Sequence, residues 1–347
     1  MKKTGRMIGL VMALLGTLFL AGCGSADREV LNVSNWGDYI DPQVIEDFEE
    51  EFGVDVIYEE FATNEDMYVK IKAGASNYDI AIPSDYMIQK MMKEGLLLPL
   101  NFDNIPNYEL IGSQYKDLEF DPENAYSVPY MWGTVGIIYN TTMVDDPVDS
   151  WDILWNDKYA KSIYMLNSQR DTMMVAQKRL GFSMNSKDEQ ELEQVKQMLI
   201  EQKPLVASYV GDEVKDLMVA GNAALAAVWS GDAVEMMREN PDLAFALPKE
   251  GTNQWVDSIV IPATSQHKEL AEKFINFMCS TEVAYMNADY IGYNTPQMET
   301  LKLLPEEWTT NLDIYPDASI LEQYEVFVDL DDALPLYDRI WTEILAS

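Results

Sequence analysis

Four short stretches set an aromatic ring within three residues of an aspartate: Trp36-Gly37-Asp38-Tyr39, Ser84-Asp85-Tyr86, Trp229-Ser-Gly-Asp232 and Trp255-Val-Asp257. Each reads as the end of a strand or the loop after it, and in an open α/β sheet such ends face the ligand crevice. Any one of them could be a tryptophan at the edge of the core beside an aspartate capping a helix. Four at equivalent positions point to one site. Carboxylates and aromatic faces together suit an alkyl diamine or triamine, whose ammonium groups need anions and whose methylene chain packs on rings that also attract cations. A sugar would want the rings but fewer anions. A betaine would need a positive group for its own carboxylate, which these loops lack.

Composition narrows the classes. Asp and Glu number 59 against 24 Lys and Arg, a net charge of −35, so nucleic acid and anionic membrane surfaces are poor partners. The chain has no G-x-S-x-G, no G-x-G-x-x-G after a strand and no phosphate-binding G-x-x-x-x-G-K-[ST]. One histidine, His267, and two cysteines, Cys23 and Cys279, give no zinc or iron set and no disulfide framework. The acidic run Asp329-Leu-Asp-Asp332 lacks the spacing and glycine of a calcium loop. No metal and no cofactor is expected, and Cys279 reads as a small buried residue.

The elements that must position those loops follow a removable leader. Residues 1–22 carry Lys2, Lys3 and Arg6, then an apolar run and small residues before Cys23, the pattern of a secretory signal. Beyond it, strand-like and helix-like segments alternate, which predicts an α/β fold, and the length exceeds what one core usually serves, which predicts two lobes. The first third reads βαβαβα and predicts a parallel sheet. Tyr126–Asn140 alternates like a strand running from one lobe into the other, and 245–262 is a second crossing. Gly133, Gly136 and Gly251 mark these crossings as hinge candidates.

The stretches NWGDYI, YDIAIPSDY, YSVPYMWGTVGIIYN, WSGDAV, WVDSIVIP, IGYNTP and YPDA together resemble the extracytoplasmic polyamine-binding proteins of ABC importers, the spermidine/putrescine-binding family, over residues 30 to 345. The resemblance implies two α/β lobes of the class II periplasmic-binding-protein type, closing on a ligand in the interlobe cleft. It implies lobe 1 from residues 30–133 plus 251–300 and lobe 2 from 134–250 plus 301–347. Leu20-Ala21-Gly22-Cys23 resembles a lipoprotein cleavage box, implying lipidation at Cys23 and an anchored linker over 23–29.

The ligand positions implied are Trp36, Asp38, Tyr39, Ser84, Asp85, Tyr86, Asp171, Trp229, Asp232, Trp255, Asp257 and Tyr293. The chain departs from the spermidine binders at Gly37, where they carry a hydroxyl, at Ser168, where they carry an aspartate, at Asp171 in place of a glutamate, and at Phe327 in place of a glutamine. Asp232 resembles the putrescine-specific members, although it could instead cap the helix that follows it. The function implied is non-enzymatic: a monomeric, membrane-anchored protein that captures a polyamine and hands it to permease subunits with a cytoplasmic ATPase. A lipid-anchored hydrolase or a sensor for a small cation on the same scaffold are the alternatives.

Overall fold

The computed structural model describes residues 28–74, 76–321 and 324–347. The signal segment 1–22, Cys23 and most of the 23–29 linker lie outside the described residues.

The chain opens with β1 (Val30–Trp36), α1 (Pro42–Phe52), β2 (Asp55–Phe61), α2 (Asn64–Lys72), β3 (Ile80–Ala81) and α3 (Asp85–Lys93). Local chemistry sets their limits. The Asp41 side chain accepts from the Gln43 amide, Pro42 supplies a fixed φ in the first turn, and Gly53 ends α1 at φ +66°. Val44 and Phe48 are the side chains that α1 buries. β1 pairs in parallel with both β2 and β3.

β4 (Ser127–Asn140) is the long strand of the fold. Its first half pairs antiparallel with β9 (Gln254–Val260), and its second half with β7 (Leu225–Trp229) and β8 (Leu243–Ala246). The register slips between Pro129 and Met131, where a residue without an N–H interrupts the ladder. With β5 (Ile163–Leu166) and β6 (Val206–Val210) the strand order is β2-β1-β3-β9-β4-β7-β5-β6, with β8 also on β4. The sheet is therefore mixed, because β9 returns antiparallel between β3 and β4; the parallel pattern expected from the first third holds for β1, β2 and β3. Helices that follow include α4 (Gln169–Leu180), α5 (Glu189–Gln202), α6 (Val214–Val219), α7 (Ser230–Glu239), α8 (Lys268–Met278) and α9 (Thr281–Ile291), with three single-turn helices and a long C-terminal one after them among the described residues.

Separate cores form on the two halves of β4. Leu31, Phe48, Trp132, Val260 and Phe274 belong to one. Ile137, Trp151 and Met165 centre a second, and Ile138, Val228 and Phe245 a third. The C-terminal helix (Leu334–Ala346) buries Tyr337, Ile340 and Ile344 with Leu192, Val195 and Leu199 of α5. Residues 247–253 make the return crossing between β8 and β9.

The glycines at the crossings differ from the expectation of free dihedrals. Gly251 does sit at φ +84°. Gly133 and Gly136 are ordinary strand residues whose lack of a side chain clears space: a Cβ would lie 2.5 Å from the Trp255 ring at Gly133 and 2.3 Å from the Phe245 ring at Gly136.

Candidate ligand-binding site

β9 carries Asp257 against β4 and beside Ser84. Only 6 % of Asp257 is exposed. The Tyr39 hydroxyl donates to its Oδ2 at 2.9 Å, while Oδ1 has no hydrogen-bond partner. Burial pushes this carboxyl up to about 7, with the Ser84 and Tyr39 hydroxyls pulling against it and Asp171 adding to the rise. Tyr39 is itself held, since Tyr130 donates to its carbonyl at 2.8 Å and the two rings meet edge to face at 5.5 Å.

Asp171 sits in the first turn of α4. The Ser168 hydroxyl, from the helix N-cap, donates to its Oδ2 at 2.7 Å, and Asn253 Nδ2 donates to Oδ1 at 3.1 Å. Burial raises its pKa.

Asp232 is the third residue of α7, after Trp229, which ends β7 and begins the helix without an intervening loop. Tyr293 donates to Asp232 Oδ1 at 2.9 Å, and the buried Oδ2 has no partner. Burial lifts this carboxyl to about 7 against the pull of Lys215. No side chain caps α7, so the capping role considered for Asp232 is replaced by its bond to Tyr293. Gly231 makes that bond possible, because a Cβ there would lie 2.1 Å from the Tyr293 ring. Tyr293 in turn meets Trp255 at 5.1 Å and Tyr39 at 5.5 Å, both edge to face. The Trp255 indole N–H is buried without an acceptor.

The other expected residues are placed unequally. Trp36 packs on Phe61 at 4.5 Å and donates to the Ile82 carbonyl at 2.9 Å. Ser84 Oγ and the Tyr86 hydroxyl both accept from Asn64 at 3.1 Å, and Tyr86 donates to Glu65. Asp38, at φ +49°, is largely exposed and pairs with Lys215 at 3.4 Å. Phe327 is buried between Tyr86 and the Arg170 guanidinium, giving an apolar wall with no polar contact to offer. Asp85 is held by the backbone. It is fully buried, and both its oxygens accept backbone amides, from Tyr86 at 2.7 Å and Val256 at 3.3 Å. Through these two amides it ties α3 to β9.

Lys215, Asn253 and Tyr130 went unread in the sequence. Asn253 stands two residues before Trp255 in the second crossing, a signal that could have found it; Lys215 lies in an ordinary amphipathic helix with none.

What the arrangement does is bury three carboxyl groups, two of them, Asp257 and Asp232, joined through the rings of Tyr39 and Tyr293 with Trp255 packed beside them. Among the described residues none of the three forms an ion pair with a Lys or Arg, and no group of three or more His, Cys, Asp or Glu could hold a metal. Such carboxyls charge readily only when a cation arrives.

Residues 43–314 match the sequence profile of the family described as bacterial extracellular solute-binding protein. The chain belongs to that family. It is 34 % identical over 100 % of both chains to the spermidine/putrescine-binding periplasmic protein of Salmonella typhimurium, and 29 % identical over 99 % of both to the putrescine-binding periplasmic protein SpuD of Pseudomonas aeruginosa. A crystal structure of the spermidine/putrescine ABC transporter substrate-binding protein PotD from Streptococcus pneumoniae, in complex with calcium and HEPES, superposes with a TM-score of 0.81 at 41 % identity, over 92 % of this chain and 99 % of that one. The fold is thus the two-lobed substrate-binding one, in a family of transport proteins. Among the described residues no helix is long and apolar enough to cross a membrane.

Proposed function

We propose that this chain is the substrate-binding lipoprotein of an ABC importer: it captures a polyamine, spermidine or putrescine or both, outside the cell and delivers it to membrane permease subunits. The observation that carries the reading is the pair Asp257 and Asp232, each more than nine-tenths buried with one oxygen unpartnered and no internal cation bonded to it. An ammonium at each end of a short alkyl chain would supply the missing partners, and Trp255, Tyr293 and Tyr39 would line the methylenes. Asp171 and Trp229 complete the ligand set from the α4 and α7 side, with Trp36, Ser84 and Tyr86 bordering it. Relatives that bind spermidine and putrescine support the ligand class.

The lobes in this reading are 30–133 plus 251–300 and 134–250 plus 301–347, and closure of one on the other traps the ligand. Cys23 carries the lipid that keeps the protein at the cell membrane, the protein acts as a monomer, and it does no chemistry on its ligand. Calorimetry of the domain without Cys23 against putrescine, cadaverine, spermidine and spermine tests it. Saturable binding with the amine recovered intact is the expected result. No heat with any of the four overturns the reading, and a converted ligand would turn it into the hydrolase.

A further inference from the structure

A lysine inside a site built for ammonium ions needs a reason. Lys215 projects from α6, whose Val214 and Met218 belong to the core beside β7, and reaches Asp38, in the loop after β1 on the other core. Its Nζ lies 3.4 Å from Asp38 and 3.2 Å from Glu235 of α7, with 16 % of its side chain exposed. The two loops meet there: a Cβ on Gly37 would sit 3.6 Å from Asp212 Oδ2. Asp38, Lys215, Asp212 and Glu235 share one solvent-open recess.

The ammonium stays charged in this place. Burial pulls Lys215 down, but Asp232, Glu235 and Asp38 together hold it well above the ordinary lysine value. Asp232 joins this recess to the Tyr293 and Trp255 rings, because it lies one turn before Glu235 on α7, the helix that Lys215 bonds, and Tyr293 connects it to Trp255.

We propose that Lys215 is a specificity-determining residue: it is a tethered ammonium that closes the Asp38 end of the cleft and disfavours any ligand whose chain carries a further ammonium past Asp232. This rests on the polyamine reading above. A diamine stretched between Asp257 and Asp232 finds its two anions and ends there. A triamine lying along the same line must set its third ammonium among Asp38, Asp212 and Glu235, where the acids already face a cation. Discrimination then comes from a repulsive element placed against the longer ligand, as well as from attraction to the shorter one.

The test compares wild type with Lys215→Met, Lys215→Gln and Lys215→Arg, measuring putrescine and spermidine affinity by calorimetry at one ionic strength and checking each fold by thermal melting. The neutral variants should raise the spermidine-to-putrescine affinity ratio about tenfold, the effect of a single unfavourable charge contact. The arginine variant should leave the ratio unchanged. An unchanged ratio in both neutral variants overturns the proposal, as does an equal loss for both amines, which would make Lys215 only a tie between lobes. Wild type that binds neither amine defeats the polyamine reading and this inference with it, whereas the first two outcomes, in a protein that binds both, defeat this inference alone.

Discussion

The two ends of the proposed cleft use the same residue type in opposite ways. At one end Asp257 is buried, touches a tyrosine hydroxyl and keeps an oxygen without a partner. At the other Asp38 is mostly in water and already holds Lys215. A carboxylate in the first setting is unstable until a cation reaches it, so most of the free energy of binding should come from there. A carboxylate in the second is solvated and paired, so it can guide or exclude a ligand but adds little affinity. Asp232 stands between, dry like Asp257 yet within the field of Lys215.

The harshest way to break this contrast is to remove the dry anion. Asp257→Ala leaves a buried ammonium without its partner and should weaken polyamine binding by about 3–5 kcal/mol, more than a hundredfold, in a protein that still melts cooperatively. Near-normal affinity in calorimetry would show that the dry end is not the ligand's anchor.

The pH response of the empty protein probes the same end. Burial holds Asp257 and Asp232 at about 7 in this structure, read as the closed state of the proposed cleft, whereas exposed aspartates titrate near 4. A group whose pKa is higher in the closed state favours closure below its open-state value and loses that contribution as pH rises through the closed-state value. Each carboxyl's support for closure, up to about 4 kcal/mol, is full below about pH 4 and lost above about pH 7, so the ligand-free cleft should be more closed at pH 5 than at pH 8. Solution scattering should show a larger radius at pH 8 without ligand and the compact radius again with it. Equal radii in all these conditions would contradict the assignment.

Asp232→Ser should weaken the diamine by about 1.5–3 kcal/mol, less than the loss at Asp257 because Lys215 already offsets part of its charge. At pH 8 the ligand-free variant should melt higher, since a buried carboxylate with an unpartnered oxygen has gone. A lower melting temperature with unchanged affinity would return Asp232 to a purely structural role.

What the sequence showed of this contrast depended on distance along the chain. The pairs Trp255–Asp257 and Trp229–Asp232 were legible because strand and helix geometry fixes neighbours two or three residues apart; β4 was legible as a strand from its apparent alternation, but nearly all of its 14 residues are buried on both faces, as a strand in the middle of the sheet must be. Asp85 looked the same as Asp257, an acid beside an aromatic. Only the fold brings the Val256 amide to it and ties it to β9. Gly133 advertised flexibility, and the reason for it is a tryptophan 122 positions later. Lys215 meets Asp38 across 177 positions, so no local pattern could pair them.

The smallest effect belongs to the wet end. In Asp38→Asn the ion pair with Lys215 is lost, but Asp38 is 69 % exposed and Glu235 remains 3.2 Å from the same ammonium. Exposed pairs of this kind contribute about 0.2–1 kcal/mol, and salt screens them. Putrescine affinity should therefore change by no more than about fivefold, and the difference from wild type should fade as salt is raised, because what the aspartate supplies at this position is long-range attraction and not a desolvated contact. Stopped-flow association rates at low and high salt would separate the two: a slower on-rate at low salt with an unchanged off-rate fits a guiding charge. A large, salt-independent rise in the off-rate would mean that Asp38 grips the ligand as Asp257 does, and the two ends of the cleft would no longer differ in kind.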